Sequence, residues 1–87
     1  MNKINVIEIN NSNFRVTVTG NTTTTHEVTV QADYALKLTG GKVSTAELVK
    51  ISFNFLLARE SNTSILRSFD LSVIARYFPD YESVISK

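Results

Sequence analysis

The fold turns on the reading of "LVKISFNFLLARE", residues 48–60. The four residues before it, "STAE", form a capping box: Ser44 can cap the first turn while Glu47, three residues on, reaches back to the cap amide. A helix is therefore predicted over residues 45–60. Projected at about 100° per residue, Leu48, Val49, Ile51, Phe53, Phe55, Leu56 and Ala58 cover an arc of roughly 220°, where a helix with one dry face needs roughly 100°. Glu47, Lys50 and Asn54 form a narrow wet sector with Leu57 at its edge, and Ser52 and Arg59 interrupt the dry arc. A sheet can cover one side of such a helix. The other side needs either the C-terminal segment folded back or a second copy of the chain. Leaving Phe53 or Phe55 bare would forgo about 1.5–3 kcal/mol each and create a sticky patch.

Upstream, the chain reads as β. "INVIEIN", "FRVTVTG" and "HEVTVQ" are rich in β-branched residues. Phe14, Val16 and Val18 alternate with polar residues, as do Val28 and Val30, so each run has a wet and a dry face. Opposed side chains share a face, so paired residue numbers must sum to an even number and the loop must hold an odd number of residues. Residues 20–22 and residues 20–24 both satisfy this. The longer loop is favoured because it sets Phe14 opposite Val30, Val16 opposite Val28 and Val18 opposite His26. The first strand is less regular: Ile4 and Val6 share one parity, Ile7 and Ile9 the other. It either contains a bulge or is a central strand covered on both sides. After Gln31, "DYALKLTGG" reads as a short helix with Asp33 as N-cap and Gly40-Gly41 as its end.

Downstream, "SILRSFDLSVIARYFPDYESVISK" holds Ser64 and Asp70 as candidate N-caps, an apolar stripe of Leu71, Ile74 and Phe78, and Pro79 as a helix stop. It reads as short helices over residues 64–69, 71–78 and 80–86, none stable alone. Their partner is the uncovered side of the long helix.

Two stretches resemble known groups. "TAELVKISFNFLLARE" followed by "SILRSFDLSVIARYFPDYE" resembles small bacterial proteins of unknown function that share a long helix, an "ILRxFDL" turn and a "RYFPxYE" ending. That resemblance spans residues 45–82 and implies a bacterial, single-domain, cytoplasmic protein; it implies no activity and carries over no functional residue. "HEVTVQADYALKLTGGKVSTAELVKISFNFLLARE" is similar in element order to ribbon-helix-helix DNA-binding proteins, whose paired strands enter the major groove. The outward positions here would be Glu27, Thr29 and Gln31, and an acid at the first opposes approach to phosphate.

Composition narrows the classes further. Eighty-seven residues with 43% apolar and 20% charged side chains suit one domain with one core. The absence of cysteine excludes a disulfide framework and thiol chemistry. The N-terminal stretch lacks an apolar h-region and no run is long enough to cross a bilayer, so a cytoplasmic protein without membrane contact is expected. A net charge of +1, with nine basic and eight acidic side chains dispersed along the chain, argues against nucleic acid as a partner.

Candidate site residues are few. His26 is the only histidine; without a carboxylate on its own face it reads as a ring packed at the hairpin rim rather than a general base. Arg59, Arg67 and Arg76 could together hold an anion with Ser64. Equally, Arg59 can serve the helix C-terminus while Arg67 and Arg76 pair with Asp70 or Glu82. Asp70, Asp80 and Glu82 read as cap or first-turn acids, and Gly40-Gly41-Lys42 lacks the spacing of a phosphate loop. No catalytic, metal or cofactor site is expected.

The sequence thus predicts a single α+β domain over residues 1–87. It has a three-stranded antiparallel sheet (about residues 4–9, 14–19 and 25–31), the long helix packed on it, and short helices covering that helix. The function expected is a non-enzymatic protein-interaction module that dimerises or joins an assembly, with Phe53, Phe55, Leu57, Tyr77 and Tyr81 at the interface. A ribbon-helix-helix-like DNA-binding regulator and a small anion or metabolite binder or enzyme are the alternatives.

Overall fold

The computed structural model describes residues 3–86 and shows an α+β domain in which one helix lies between a sheet and a wrap of short segments. Strands β1 (Lys3–Glu8), β2 (Asn13–Thr19) and β3 (Thr24–Thr29) form an antiparallel meander. Helices α1 (Ala32–Thr39) and α2 (Thr45–Leu57) follow, and a fourth strand, β4 (Ser68–Asp70), then pairs parallel with β3. The sheet order is β1-β2-β3-β4. Short helices α3 (Ile74–Tyr77) and α4 (Tyr81–Ile85) complete the chain, with 3₁₀ turns at Asn62–Ser64 and Leu71–Val73.

Local chemistry sets the element ends. The Ser44 hydroxyl accepts the Glu47 amide at 3.1 Å, one half of the capping box. α2 ends at Leu57, three residues before the predicted end, where Arg59 caps it: its guanidinium donates to the Phe55 carbonyl at 3.2 Å. α1 begins after Gln31 rather than Asp33; Asp33 lies in the first turn. It ends at Gly40, which adopts φ 62° and donates its amide to Leu36. Asp70 is an N-cap as expected, accepting from the Ser72 amide at 3.0 Å.

The two dry flanks of α2 have different covers. Residues two apart on a helix point about 200° apart. Phe53 meets the sheet side, with His26 at 5.4 Å and Phe69 at 6.1 Å between ring centroids. Phe55 meets the tail, edge-on to Phe78 at 5.8 Å and Tyr81 at 5.2 Å. Phe53, Phe55 and Leu56 are all buried within the one chain. Behind them Tyr81 donates or accepts a 2.7 Å bond with the Ser52 hydroxyl, which also bonds the Leu48 carbonyl. This resolves the polar interruption of the dry arc.

Four expectations need correction. The sheet has four strands and is mixed, because residues 64–69 do not form a helix. The carbonyls of Leu66 and Arg67 are taken by His26 and by the Glu27 amide, and Phe69 aligns with Val28. Residues 71–78 are a 3₁₀ turn followed by the single-turn α3, which ends ahead of Pro79 at Phe78, in extended backbone. The β2–β3 register is the shorter-loop one: Phe14 faces Val28, Val16 faces His26 and Val18 faces Thr24. The even-sum rule holds, but Asn62 selects between its two solutions by donating to the Thr22 carbonyl at 2.6 Å and the Thr24 hydroxyl at 3.1 Å. Finally, β1 contains no bulge and is not central. It pairs continuously with β2 at the sheet edge, leaving Ile7 50% and Ile9 45% exposed.

Candidate interaction site

The last turn of α2, the segment after it, β4 and α3 enclose an open cleft of about 370 Å³. Leu56, Ile65 and Ile74 form its buried floor, and Phe69 and Phe78 are half-buried walls. Leu66 and Tyr77 stand at its rim, 49% and 66% exposed. Glu60, Ser64 and Tyr77 are the lining residues with polar side chains. Concave, apolar and with few polar groups, it has the character of a binding pocket at the small end of the usual range.

The wall carrying Leu66 is held from behind by His26. Buried at 1% exposure, that ring places Nδ1 2.8 Å from the Leu66 carbonyl and Nε2 2.8 Å from the Thr24 hydroxyl. A carbonyl can only accept, so Nδ1 carries the proton, and in the neutral ring Nε2 accepts from Thr24. Thr24 Oγ1 accepts in turn from Asn62. The Glu27 amide donates to the Arg67 carbonyl at 2.7 Å. The segment from Asn62 to Arg67 is thereby tied to β3 at both ends. His26 is neither at a rim nor free for proton transfer: it lies inside the core, with both nitrogens engaged. Its parity with Val28 placed it on the dry face, but no local signal named Leu66, forty residues away, as its partner.

The three arginines do not converge on a common partner. Arg59 bonds Asp80 at 3.2 Å and lies 3.6 Å over the Phe55 ring, sealing the end of α2. Arg67 and Arg76 are exposed, and among the described residues neither side chain makes an ion pair. Their expected partners are engaged elsewhere: Asp70 with Ser72, and Glu82 with Tyr34 at 2.8 Å and Lys37 at 3.4 Å. Of the expected interface residues, Phe53, Phe55 and Tyr81 are buried by the chain itself, Leu57 is half-buried, and Tyr77 alone is prominently exposed. Leu66 was missed because its segment read as a helix.

A shallower polar depression of about 290 Å³ lies between α1 and the start of the tail, with Tyr34, Lys37 and Asp70 on its walls. Burial and the bond to Glu82 push the Tyr34 phenol well above its ordinary range, so it stays a donor. The same bond, aided by Lys37, lowers the Glu82 carboxyl below its usual value. Burial pushes Tyr81 up to about 12. Tyr34 and Lys37 stitch α1 to α4 through Glu82, while Tyr81 ties α4 to α2 through Ser52. Among the described residues no helix is long and apolar enough to cross a membrane. Comparison with family models, with curated proteins and with solved structures finds no match to this chain, so its functional reading rests on the geometry of the cleft.

Proposed function

We propose that the protein is a non-enzymatic interaction module that docks a segment of another protein in the cleft beside β4. One observation carries the reading: the large side chains of Leu66 and Tyr77 flank an open cavity whose wall is pinned by a hydrogen bond from the buried His26 ring. Pinning the wall in advance lowers the ordering cost of binding. The cavity suits one aromatic or branched aliphatic side chain. Glu60, the one acidic residue lining it among the described residues, favours a basic residue beside that anchor.

Nucleic-acid binding in the ribbon-helix-helix manner has less support. That mode needs a strand free to pair with a second chain, and β3 has β2 on one edge and β4 on the other. Its outward Glu27 pairs with Arg15 of the neighbouring β2 at 3.2 Å, an exposed ion pair that offsets that cation's charge.

Selection of displayed random peptides against the whole protein tests the docking reading. The expected binders carry an aromatic or aliphatic anchor next to Lys or Arg, shift the amide resonances of Leu66, Phe69 and Tyr77, and lose at least about tenfold in affinity with Leu66→Glu. Binders that map elsewhere, or are indifferent to Leu66→Glu, overturn it.

A further inference from the structure

Among the described residues the outer edge of β1 has no strand paired to it. Its one neighbour among the described strands is β2. The Ile9 amide donates to the Asn13 carbonyl at 2.9 Å, which fixes the phase of the β1–β2 ladder. In an antiparallel strand the N–H and C=O of one residue point the same way, and successive residues alternate. Asn5 and Ile7 therefore direct their backbone groups to β2, while Ile4, Val6 and Glu8 direct theirs outward, where no described residue meets them.

The side chains of β1 also fit a strand with neighbours on both sides. Ile4 and Val6, on the face shared with α2, are only half-buried, and Ile7 and Ile9 on the other face are half-exposed. Apolar residues on both faces mark an interior strand, yet this one sits at an edge. Edge strands are commonly guarded by a bulge, a proline, short length or charged side chains. β4, the opposite edge, is three residues long; β1 is six residues long, regular and without proline, and its charges stand only at its two ends, Lys3 and Glu8.

We infer that β1 pairs antiparallel with β1 of a second copy about a two-fold axis at Val6, joining two sheets into one. Such an axis sets side chains of one face opposite each other and requires outward backbone groups to meet outward ones. The register centred on Val6 satisfies both. It sets Val6 opposite the second copy's Val6 and Ile4 opposite its Glu8. Every outward group of Ile4, Val6 and Glu8 is then used, in about six hydrogen bonds. On the other face it lays Ile7 beside the second copy's Asn5. Registers centred on Asn5 or Ile7 leave Glu8 or Ile4, respectively, without a partner in the described strand. The inference goes beyond the docking cleft and is independent of it: the cleft lies at the β4 end of the sheet, so a dimer built through β1 leaves both clefts open.

The whole protein, which has no cysteine, permits a direct test. Light scattering on a sizing column at tens of micromolar is expected to give twice the 9.7 kDa chain mass. Val6→Pro removes an outward amide that makes no β1–β2 bond; it is expected to weaken the dimer at least tenfold while the circular dichroism spectrum stays native. Single-cysteine variants read the register without relying on that variant folding. Cα atoms of a hydrogen-bonded pair stand about 5.5 Å apart, within disulfide reach, so Val6→Cys is expected to cross-link to a covalent dimer on mild oxidation, ahead of Asn5→Cys and Ile7→Cys. A monomer mass up to millimolar concentration overturns the inference, as does cross-linking through position 5 or 7 in preference to position 6.

Discussion

The two flanks of α2 are equally dry but differently made. On the Phe53 side the cover is a sheet, whose backbone ladders hold it together before any side chain packs. On the Phe55 side the cover is a succession of one-turn pieces, α3 of four residues and α4 of five, too short to be helical on their own. They stay in place through particular side chains: Tyr81 on Ser52, Phe78 and Tyr81 on Phe55, Asp80 on Arg59 and Glu82 on Tyr34. Burial alone does not separate the two flanks. What separates them is how much of the cover survives the loss of one contact, and substitutions can measure that.

The largest effect is expected at Phe53. Phe53→Ala opens a cavity between α2 and the sheet that β2 and β3 cannot collapse into, and should cost about 3–5 kcal/mol in urea denaturation, unfolding the molecule as one unit. Phe55→Ala removes the same side chain from the tail flank. There the short helices can detach, so hydrogen exchange should show residues 78–86 losing protection while β2 and β3 keep theirs. Equal loss of protection everywhere in both variants would mean that the flanks are one cooperative body, and the distinction drawn above would fall.

His26 comes next, because it lies on the sheet flank yet holds part of the cleft. His26→Leu keeps the bulk against Phe53 but strands the Leu66 carbonyl and frees the Thr24 hydroxyl. An unsatisfied buried acceptor costs about 1–3 kcal/mol; this carbonyl is only part-buried, so the cost belongs at the low end of that range and should appear as faster exchange over residues 62–67 together with a lower melting temperature. A drop in melting temperature without faster exchange there would assign His26 to packing alone.

What could be read from the sequence follows the same division. Two readings from periodicity held: the spacing of Phe53 and Phe55 on α2 implied two covers, and parity required an odd loop between β2 and β3. Two did not: the mixed parity of β1 marks neither a bulge nor a central strand within the one chain, and the stripe of Leu71, Ile74 and Phe78 belongs to a 3₁₀ turn and a single helical turn. Wherever two solutions were locally equivalent, a distant residue chose. Asn62 decided the register, and His26 and Glu27 drew Leu66 and Arg67 out of a helix and Phe69 into a parallel strand. No window around "SILRSFD" contains that information. The cleft was illegible for the same reason, since its walls come from four separate elements. The sequence points to Tyr77 but not to Leu66, and Arg59, Arg67 and Arg76 share no partner among the described residues.

On the tail flank, Tyr81→Phe removes one buried hydroxyl and leaves the Ser52 hydroxyl bonded to Leu48, so a cost of about 1 kcal/mol is expected. The same tyrosine sets an alkaline limit. Its folded value of about 12 lies above the ordinary 10, because burial disfavours the phenolate. That stabilisation is complete below pH 10 and is lost as pH rises through about 12. Wild type should therefore lose stability across that interval more steeply than Tyr81→Phe; parallel curves would show that the phenol ionises without leaving its site.

The smallest effect is expected at the outermost stitch. Glu82 accepts from the Tyr34 hydroxyl, its main cause of lowering, and from Lys37. A carboxyl whose folded value lies below the ordinary 4.5 adds stability above that value and loses it as pH falls through the folded one. The group is close to solvent, so the contribution should stay within about 0–1 kcal/mol. Glu82→Gln keeps an acceptor for Tyr34 and removes only the charge. The melting-temperature difference between wild type and this variant should be present near neutral pH and shrink as the carboxyl protonates. If it is unchanged in acid, the charge contributes nothing, and α1 is joined to α4 by the neutral hydrogen bond and packing alone. The tail flank would then be held like the sheet flank, by shape rather than by charge.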